Sequence, residues 1–100
     1  MKRYQLTPAA EADLGEIFEY IRFDSPDAAL RVLARVREAM RRLAEFPRMG
    51  HVREDLADKS LRFWPVYSYL IVYRPDTRPL QIIRVLHGAR DVRRILTRSE

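Results

Sequence analysis

The residues that could do acid–base or phosphate chemistry are concentrated in one short run, Arg84-Val85-Leu86-His87-Gly88-Ala89-Arg90-Asp91. His87 can act as an acid or a base near neutral pH, and Arg84 and Arg90 carry guanidinium groups that can hold phosphates. A metal-free ribonuclease needs such a base, an acid, and arginines for the charge that develops on the phosphoryl group. The alternative is structural: His87 and Asp91 bond to neighbouring backbone, and Gly88 supplies a turn conformation.

A second group of residues with possible binding chemistry precedes that run. Arg62, beside Phe63 and Trp64, belongs either to a basic concave surface or to a rim where its stem packs on an aromatic ring. Four aromatic residues could stack on nucleic-acid bases or fill the core of a sheet: Trp64, Tyr67, Tyr69 and Tyr73. The rim and the core are the commoner roles, and the sequence leaves both alternatives open.

Several classes of enzyme chemistry have little support in the sequence. The chain has no cysteine, and its two histidines, His51 and His87, are not grouped with other ligands at metal-binding spacing. It has neither the glycine-rich phosphate loop of nucleotide-binding enzymes nor the G-x-S-x-G elbow of many hydrolases. We therefore expect no cofactor, no metal and no firm set of catalytic residues.

The positive charge of the chain is carried almost entirely by arginine. Lysine and arginine together number 19 against 14 acidic residues, which gives a net charge of +5, and Lys2 and Lys59 are the only lysines. Arginine suits planar, two-point contacts with carboxylate or phosphate. The charge predicts an acidic partner: a nucleic acid, a nucleic-acid complex or an acidic protein segment. A solvated basic surface and a coding bias towards arginine are the alternatives.

The length and hydropathy of the chain predict one domain in the cytoplasm. A chain of 100 residues fits a single domain over residues 1–100. No run approaches the ~20 apolar residues of a membrane helix, and the start lacks the apolar stretch of a signal peptide. We expect no membrane contact.

Two helices are predicted near the start of the chain, after a short strand at residues 4–6. Thr7-Pro8 combines a helix cap with a proline at the first helical position, and Ser25-Pro26 repeats this signal for a second helix. The second helix is predicted to end before Phe46-Pro47, because the residue before proline disfavours helical backbone. Two helices joined by a short turn form an antiparallel hairpin.

Three strands and a short tail helix are predicted in the second half. The strands at residues 61–64, 66–73 and 80–86 are joined by short turns that indicate an antiparallel meander, and Asp91 can cap the tail helix. The order β-α-α-β-β-β-α predicts an α+β fold, with an N-terminal strand and a helical hairpin packed on a small antiparallel sheet. Neither long strand separates apolar from polar residues cleanly. We therefore expect the hairpin to cover one sheet face, and the tail helix or a partner chain to cover the other.

Five sequence features, in this order, are typical of one protein family. They are Tyr4-Gln5-Leu6-Thr7-Pro8-Ala9-Ala10-Glu11-Ala12-Asp13-Leu14, Phe46-Pro47-x-x-Gly50, Arg62, Tyr69-x-Ile71-x-Tyr73 and Ile83-x-Val85-x-His87-Gly88-x-Arg90-Asp91. With these features the chain resembles the RelE/ParE toxins of type II toxin–antitoxin systems over its whole length. The family fold, a helical hairpin on a small antiparallel sheet, agrees with the fold predicted from the residues.

The resemblance implies a toxin that is neutralised by an antitoxin encoded beside it. The extended C-terminal segment of such an antitoxin wraps the toxin, and its N-terminal part binds operator DNA. The toxin's own link to operator DNA is therefore indirect. RelE-type members cut mRNA in the ribosome, whereas ParE-type members poison DNA gyrase, trap cleaved DNA and have no catalytic activity of their own.

Three places in the chain favour the ParE-type branch. Leu70 stands where RelE-type nucleases tend to carry arginine, and Ile95-Leu96 stands where they often carry a tyrosine or histidine. Phe63 and Trp64 are apolar where basic residues are usual. The prediction is a gyrase inhibitor, not an enzyme, that is held by a ParD-like antitoxin.

Two other functions are kept as alternatives. The first is a RelE-like, ribosome-dependent mRNA endoribonuclease with Arg84, His87 and Arg90 as its working groups. The second is a structural module whose only role is to bind its antitoxin.

Two sets of side chains are predicted to contact the partners. Contacts with the target are expected from residues on the sheet and near the C-terminus: Arg62, Arg84, His87, Arg90, Arg93 and Arg94. Contacts with the antitoxin are expected from the hairpin and from a basic sheet face: Ile17, Tyr20, Phe23 and Leu30, then Arg62, Arg74 and Arg84.

Overall fold

The computed structural model describes residues 3–57, 60–88 and 92–98, with the backbone alone at 93, 97 and 98. The elements are, in chain order, β1 (Tyr4–Leu6), α1 (Pro8–Asp24), α2 (Pro26–Glu45), a 3₁₀ turn (Pro47–Met49), β2 (Arg62–Val66), β3 (Tyr69–Arg74), β4 (Leu80–His87) and α3 (Val92–Arg98). The predicted order and the α+β class are confirmed, while the predicted cap Asp91 lies outside the described residues. Within the described ranges, no helix is long and apolar enough to cross a membrane.

The two long helices begin at matching caps. The Thr7 hydroxyl accepts a hydrogen bond of 3.0 Å from the Ala10 N–H, and the Ser25 hydroxyl accepts one of 3.2 Å from the Ala28 N–H. Each helix starts with proline, whose missing N–H would have had no helical partner there. Ser25 alone separates the helices, and its N–H closes α1 on the Ile21 carbonyl at 2.9 Å. Both predicted starts are confirmed, and the one-residue link folds the helices into a hairpin.

The four strands form one mixed sheet in the order β1-β4-β3-β2. β2, β3 and β4 make the predicted antiparallel meander, whereas β1 lies parallel to β4, with Tyr4 opposite Leu80. The expectation of a purely antiparallel sheet is corrected at this strand. The sequence of the three-residue strand β1 does not indicate whether its direction is parallel or antiparallel to β4. Thr7 helps to set it, because its N–H donates to the Ile82 carbonyl and its hydroxyl donates to the Ile83 carbonyl.

A two-residue turn, Tyr67-Ser68, divides the strand that was predicted at 66–73. Val66 pairs with Tyr69 across it, and Tyr67 has a φ of 55°, in the left-handed region. Tight hairpin turns use positive φ to match the twist of the strands, and glycine or asparagine usually signals that need. The predicted boundary is wrong because tyrosine gives no such signal. β2 instead runs through Pro65, which an edge strand tolerates.

Described side chains cover both faces of the sheet. The hairpin covers one face, with Ala10, Leu14, Val36, Met40 and Leu43 against Val66, Ile71, Tyr73, Leu80, Ile82 and Val85. On the other face α3 contributes Val92 and Leu96, which pack with Leu61, Phe63, Val72 and Leu86. The expectation of two covered faces is confirmed. The tail helix, one of the two predicted covers, packs on the second face.

A β-bulge in β4 explains why its sequence does not alternate cleanly. Val72 lies opposite Arg84 and Tyr73 lies opposite Ile82, so that Ile83 is the extra residue. Ile82 and Val85 therefore pack in the same core cluster, although strict alternation would place them on opposite faces. Because β1 pairs only as far as Ile82, the strand edge beyond the bulge is open to α1.

The motif Phe46-Pro47-x-x-Gly50 is held by the hydroxyl of the buried Tyr73. This hydroxyl donates to the Pro47 carbonyl at 2.6 Å and accepts from the Gly50 N–H at 2.9 Å. A Cβ on residue 50 would overlap the Tyr73 ring and hydroxyl, so that only glycine fits. Arg62 adds a hydrogen bond of 2.7 Å to the Gly50 carbonyl. The loop after α2 is thereby attached to both β3 and β2.

Candidate functional site

Asp13 links α1 to the open edge of β4. Its carboxylate accepts hydrogen bonds from the Arg84 guanidinium, at 2.7 Å from Nε and 2.8 Å from Nη2, and one of 2.9 Å from the Val85 N–H. The Arg84 and Asp13 side chains are 19% and 11% exposed, and the hydrogen bonds that Arg84 donates to the Asp13 carboxylate raise the pKa of Arg84. Arg84, which was predicted to contact the target, is therefore engaged within the chain.

The spacing of Asp13 from the buried residues of α1 is a sequence signal that this carboxylate needs a partner. It lies three residues after the buried Ala10 and four residues before Ile17, so that it shares their side of the helix. An acidic residue beside the buried stripe of a helix needs a cation or N–H partner in the layer below. Composition alone does not reveal this, because α1 also carries several exposed acids.

His87 lies at the exposed end of β4 beside Tyr69. The two rings meet edge to face with centroids 5.5 Å apart, and burial raises the pKa of Tyr69, with a smaller contribution from Tyr20. The next residue, Gly88, donates its N–H to the Ser68 carbonyl at 2.7 Å. Gly88 does not have the positive φ expected of a turn glycine. Its small size matters instead, since a Cβ would approach that carbonyl to 3.2 Å.

Arg84 and His87 are the two described members of the predicted ribonuclease group. Their side chains leave the backbone of β4 on opposite faces of the sheet. His87 pairs with Tyr69 and Arg84 pairs with Val72, and those partners pack on opposite sides. Nor does any group of three or more His, Cys, Asp or Glu among the described residues have the arrangement of a metal site.

The other predicted target contacts lie near the C-terminus. Arg94 is exposed on α3, the side chain of Arg93 is not described, and Arg90 lies outside the described residues. Their contact with a target stays a prediction from the sequence.

The three sheet arginines that were predicted to share a basic face do not share one. Arg62 pairs with Tyr73, whose side chain faces the hairpin. Arg74 follows Tyr73 and therefore lies on the other side of β3, while Arg84 is bound to Asp13. The strand register separates these residues, and Arg62 matches the rim role, because it is half-buried and holds the loop after α2.

The tip of the hairpin exposes large apolar side chains. Phe23 is 93% exposed, Tyr20 is 79% exposed and Leu30 is 58% exposed. All three lie within five residues of Ser25, where the hairpin turns. Ile17, the fourth predicted antitoxin contact, is half-buried and packs against the main core.

A shallow groove lies between α1 and α2. Its lining residues are Ala12, Leu14, Gly15, Glu16, Phe18, Glu19 and Leu33, and most of the lining is apolar. Gly15 has no neighbour within 4 Å of the place that a Cβ would occupy. Packing within the chain therefore does not explain a glycine here. Gly15 was not among the predicted contact residues, although a glycine inside a helix is a sequence signal for a close approach.

The four aromatic residues considered for base stacking have different environments. Tyr73 is fully buried, and Trp64 and Tyr69 are partly buried against the main core. Tyr67, in the turn after β2, is 63% exposed. The core role holds for Tyr73 but not for Tyr67.

Similarity to known proteins identifies one family. The family model described as ParE toxin of type II toxin-antitoxin system, parDE, matches residues 4–92. The protein Y4kP of Sinorhizobium fredii is 38% identical over 87 residues, which cover 87% of this chain and 88% of that protein. Toxin ParE1 of Mycobacterium tuberculosis is 34% identical over 97 residues, which cover 94% of this chain and 97% of that protein.

A solved structure shares the fold. A chain of the chromosomal ParDE TA system from P. aeruginosa matches with a TM-score of 0.69 and 22% identity, over 84% of this chain and 92% of that chain. This likeness confirms the hairpin-on-sheet architecture, and the ribonuclease alternative gains no support from these matches. By the family match and the sequence identities together, the chain belongs to the ParE toxin family of type II toxin–antitoxin systems.

Proposed function

We propose that this chain is a toxin that binds and poisons DNA gyrase in the cytoplasm, and that a ParD-like antitoxin neutralises it by covering the helical hairpin. The observation that carries the antitoxin contact is the apolar surface at the hairpin tip, where Tyr20, Phe23 and Leu30 are exposed. Large apolar side chains that are exposed together are typical of an interaction surface. Burying one such side chain contributes about 2 kcal/mol, and 1.4 kcal/mol is roughly tenfold in affinity.

The groove between α1 and α2 supports an antitoxin helix as the occupant. A glycine inside a helix costs about 1 kcal/mol relative to alanine, and the space around Gly15 would admit a Cβ. A partner helix that lies against Gly15 would account for this cost, because the missing side chain lets the two backbones approach closely. Seating an amphipathic helix in an apolar groove is a common mode of peptide recognition.

Charge supports an acidic antitoxin segment after that helix. The chain has a net charge of +5, and Arg74, one of the predicted contacts, is exposed at the end of β3. Extended segments that order on binding cover large areas and use opposite charge to find their position. In this proposal the chain meets operator DNA only through its antitoxin.

Gyrase is proposed as the target because the chain belongs to the ParE family, whose resemblance implied that target. Residues of the C-terminal part, His87, Arg90, Arg93 and Arg94, are proposed to contact it, because the sequence gathers cationic and titratable side chains there, outside the hairpin segment. The toxin would act by binding, so that residues are expected to contribute affinity rather than bond-breaking chemistry.

A gyrase assay with purified chain tests the proposal. Antitoxin-free protein should inhibit supercoiling and leave broken DNA, and added antitoxin should restore supercoiling. In cells, induction without antitoxin should arrest growth and induce a DNA-damage response while mRNA stays intact. Normal supercoiling at micromolar protein would contradict gyrase as the target, and codon-specific mRNA breaks would indicate the ribonuclease instead.

A further inference from the structure

The edge of β2 and the adjacent flank of α2 form a surface separate from the hairpin tip and its groove. Trp64 on β2 packs towards the hairpin layer, and the exposed His51 ring stacks on it, with centroids 6.0 Å apart and planes inclined by 13°. Tyr67, just beyond the end of β2, lies under the Arg35 guanidinium, which is 5.8 Å from the ring centroid. We call Arg31, Arg35, Arg42, His51, Trp64 and Tyr67 the β2–α2 surface.

Three exposed arginines of this surface line one flank of α2. At 3.6 residues per turn, Arg31, Arg35 and Arg42 fall within about 40° around the helix axis, and the first two are ~6 Å apart along it. The contact between Arg35 and Tyr67 shows that this flank faces the β2 edge. Glu38 lies on the same flank but is bonded to Arg41, and in the part of the chain that the structure describes, no carboxylate forms an ion pair with any of the three.

Tyr67 has a conformation that folding alone does not explain. Its φ of 55° disfavours a bulky side chain, and asparagine or glycine would make the same turn with less strain. The ring also contributes little to the core, because it is 63% exposed. A strained, exposed aromatic residue beside a line of arginines indicates a binding role.

We propose that the β2–α2 surface binds single-stranded nucleic acid. The α2 arginines hold successive phosphates, while the Tyr67 ring and the His51 ring on Trp64 present flat faces to the bases. Arginines that track the backbone, together with aromatic rings that stack on bases, give binding without sequence preference. The aromatic faces favour nucleic acid over an acidic peptide, because a carboxylate gains nothing from a ring face. This contact goes beyond the antitoxin and gyrase contacts proposed above.

Anisotropy of a labelled thymidine oligonucleotide, about 20 nucleotides long, measures the binding to the purified full chain. Between roughly 50 and 200 mM salt, three phosphate contacts to a single strand predict a log–log slope of about −2. Changing Arg31, Arg35 and Arg42 together to glutamine should weaken binding at least about tenfold and bring the slope near zero.

A matched control removes the same charge elsewhere. Arg22, Arg48 and Arg53 are exposed and paired with carboxylates, and their triple glutamine variant should lose no more than about threefold in affinity, because those guanidinium groups are already neutralised. Equal losses in the two triple variants would overturn the proposal, since they would show that net charge alone attracts the strand.

Tyr67→Asn separates binding from folding. Asparagine accepts positive φ, so the variant should melt at the same temperature or higher, yet bind the oligonucleotide about fivefold to tenfold more weakly. Tyr67→Trp should keep the affinity. Two results would overturn the proposal: no binding at about 10 µM protein in low salt, or a surface that binds a polyglutamate peptide but not the oligonucleotide, which would identify an acidic protein segment as its partner.

Discussion

Asp13 and Arg84, 71 residues apart in sequence, form a two-point ion pair that joins α1 to β4. The same carboxylate also accepts the Val85 N–H, at a place where β1 has ended and leaves the strand edge open. One side chain therefore completes both an ion pair and the hydrogen bonding of a sheet edge. This link ties the helical hairpin to the sheet.

Replacing Asp13 tests the strength of this link. Asp13→Ala leaves the Arg84 guanidinium and the Val85 N–H without their acceptor in a mostly buried place. We expect a loss of about 2–3 kcal/mol in the free energy of unfolding, less than for a fully buried pair. Urea denaturation measures it.

Two variants control for the loss of charge. Asp13→Ala combined with Arg84→Met should be more stable than Asp13→Ala alone, because the mostly buried guanidinium that lost its carboxylate is removed as well. Glu38→Ala, which removes the exposed partner of Arg41, should change stability by no more than about 0.5 kcal/mol. Equal losses of unfolding free energy in Asp13→Ala and Glu38→Ala would show that the mostly buried link contributes no more to stability than an exposed ion pair.

The ionisation of Tyr73 makes the free energy of unfolding depend on pH in the alkaline range. Burial is the main cause that raises its pKa, against smaller lowering effects of the Gly50 backbone and Arg62. The folded state therefore holds the phenol proton more tightly than the unfolded chain, in which tyrosine titrates at about 10. This contribution is present below pH ~10 and is lost as the pH rises through the higher folded value.

Unfolding measured from pH 8 to 11 should accordingly show a decline above about 10 that is smaller in Tyr73→Phe. At neutral pH the same variant should lose about 1–3 kcal/mol, because the Pro47 carbonyl and the Gly50 N–H lose their partner. Tyr69→Phe is the comparison, since burial raises the pKa of Tyr69 as well. An identical alkaline decline in wild type and Tyr73→Phe would assign the effect to another group.

Two glycines should respond oppositely to alanine. Gly15→Ala meets nothing within 4 Å and should stabilise the chain by about 1 kcal/mol, which raises the melting temperature by roughly 4–8 °C in a domain of this size. Gly50→Ala overlaps the Tyr73 ring and should lower the melting temperature. If the antitoxin occupies the groove, Gly15→Leu should weaken its binding without unfolding the chain. Unchanged antitoxin binding by that variant would place the antitoxin elsewhere.

Phe23 tests the hairpin tip as the antitoxin contact. The side chain is 93% exposed, so Phe23→Ser should change the free energy of unfolding by no more than about 0.5 kcal/mol. Antitoxin affinity, measured by calorimetry, should fall by about 2 kcal/mol, roughly thirtyfold. Phe46→Ser changes another exposed phenylalanine, away from the tip, and should leave the affinity unchanged. A similar loss in both variants would argue against the tip as the contact.

The sequence by itself determined the helical half of the fold and the family. Thr7-Pro8 and Ser25-Pro26 act on backbone groups only three residues away, so their effect can be read locally. The stop before Phe46-Pro47 has an equally local cause. The exposed apolar residues at the hairpin tip were also predictable, because Tyr20 and Phe23 lie off the buried stripe of α1.

Only the tertiary structure decided the direction of β1, the bulge in β4 and the partner of Arg84. Each depends on contacts between residues far apart in the chain, such as Thr7 with Ile83 and Asp13 with Arg84. A local pattern, such as the place of Asp13 beside the buried stripe of α1, shows that a partner is needed but not which residue it is. Arg62, Arg74 and Arg84 were predicted to share one sheet face. Strand register, which local sequence does not reveal, assigns each of them to its face. The tertiary structure also brought Arg35 over Tyr67, a pairing of helix and turn that exists only once the hairpin lies on the sheet.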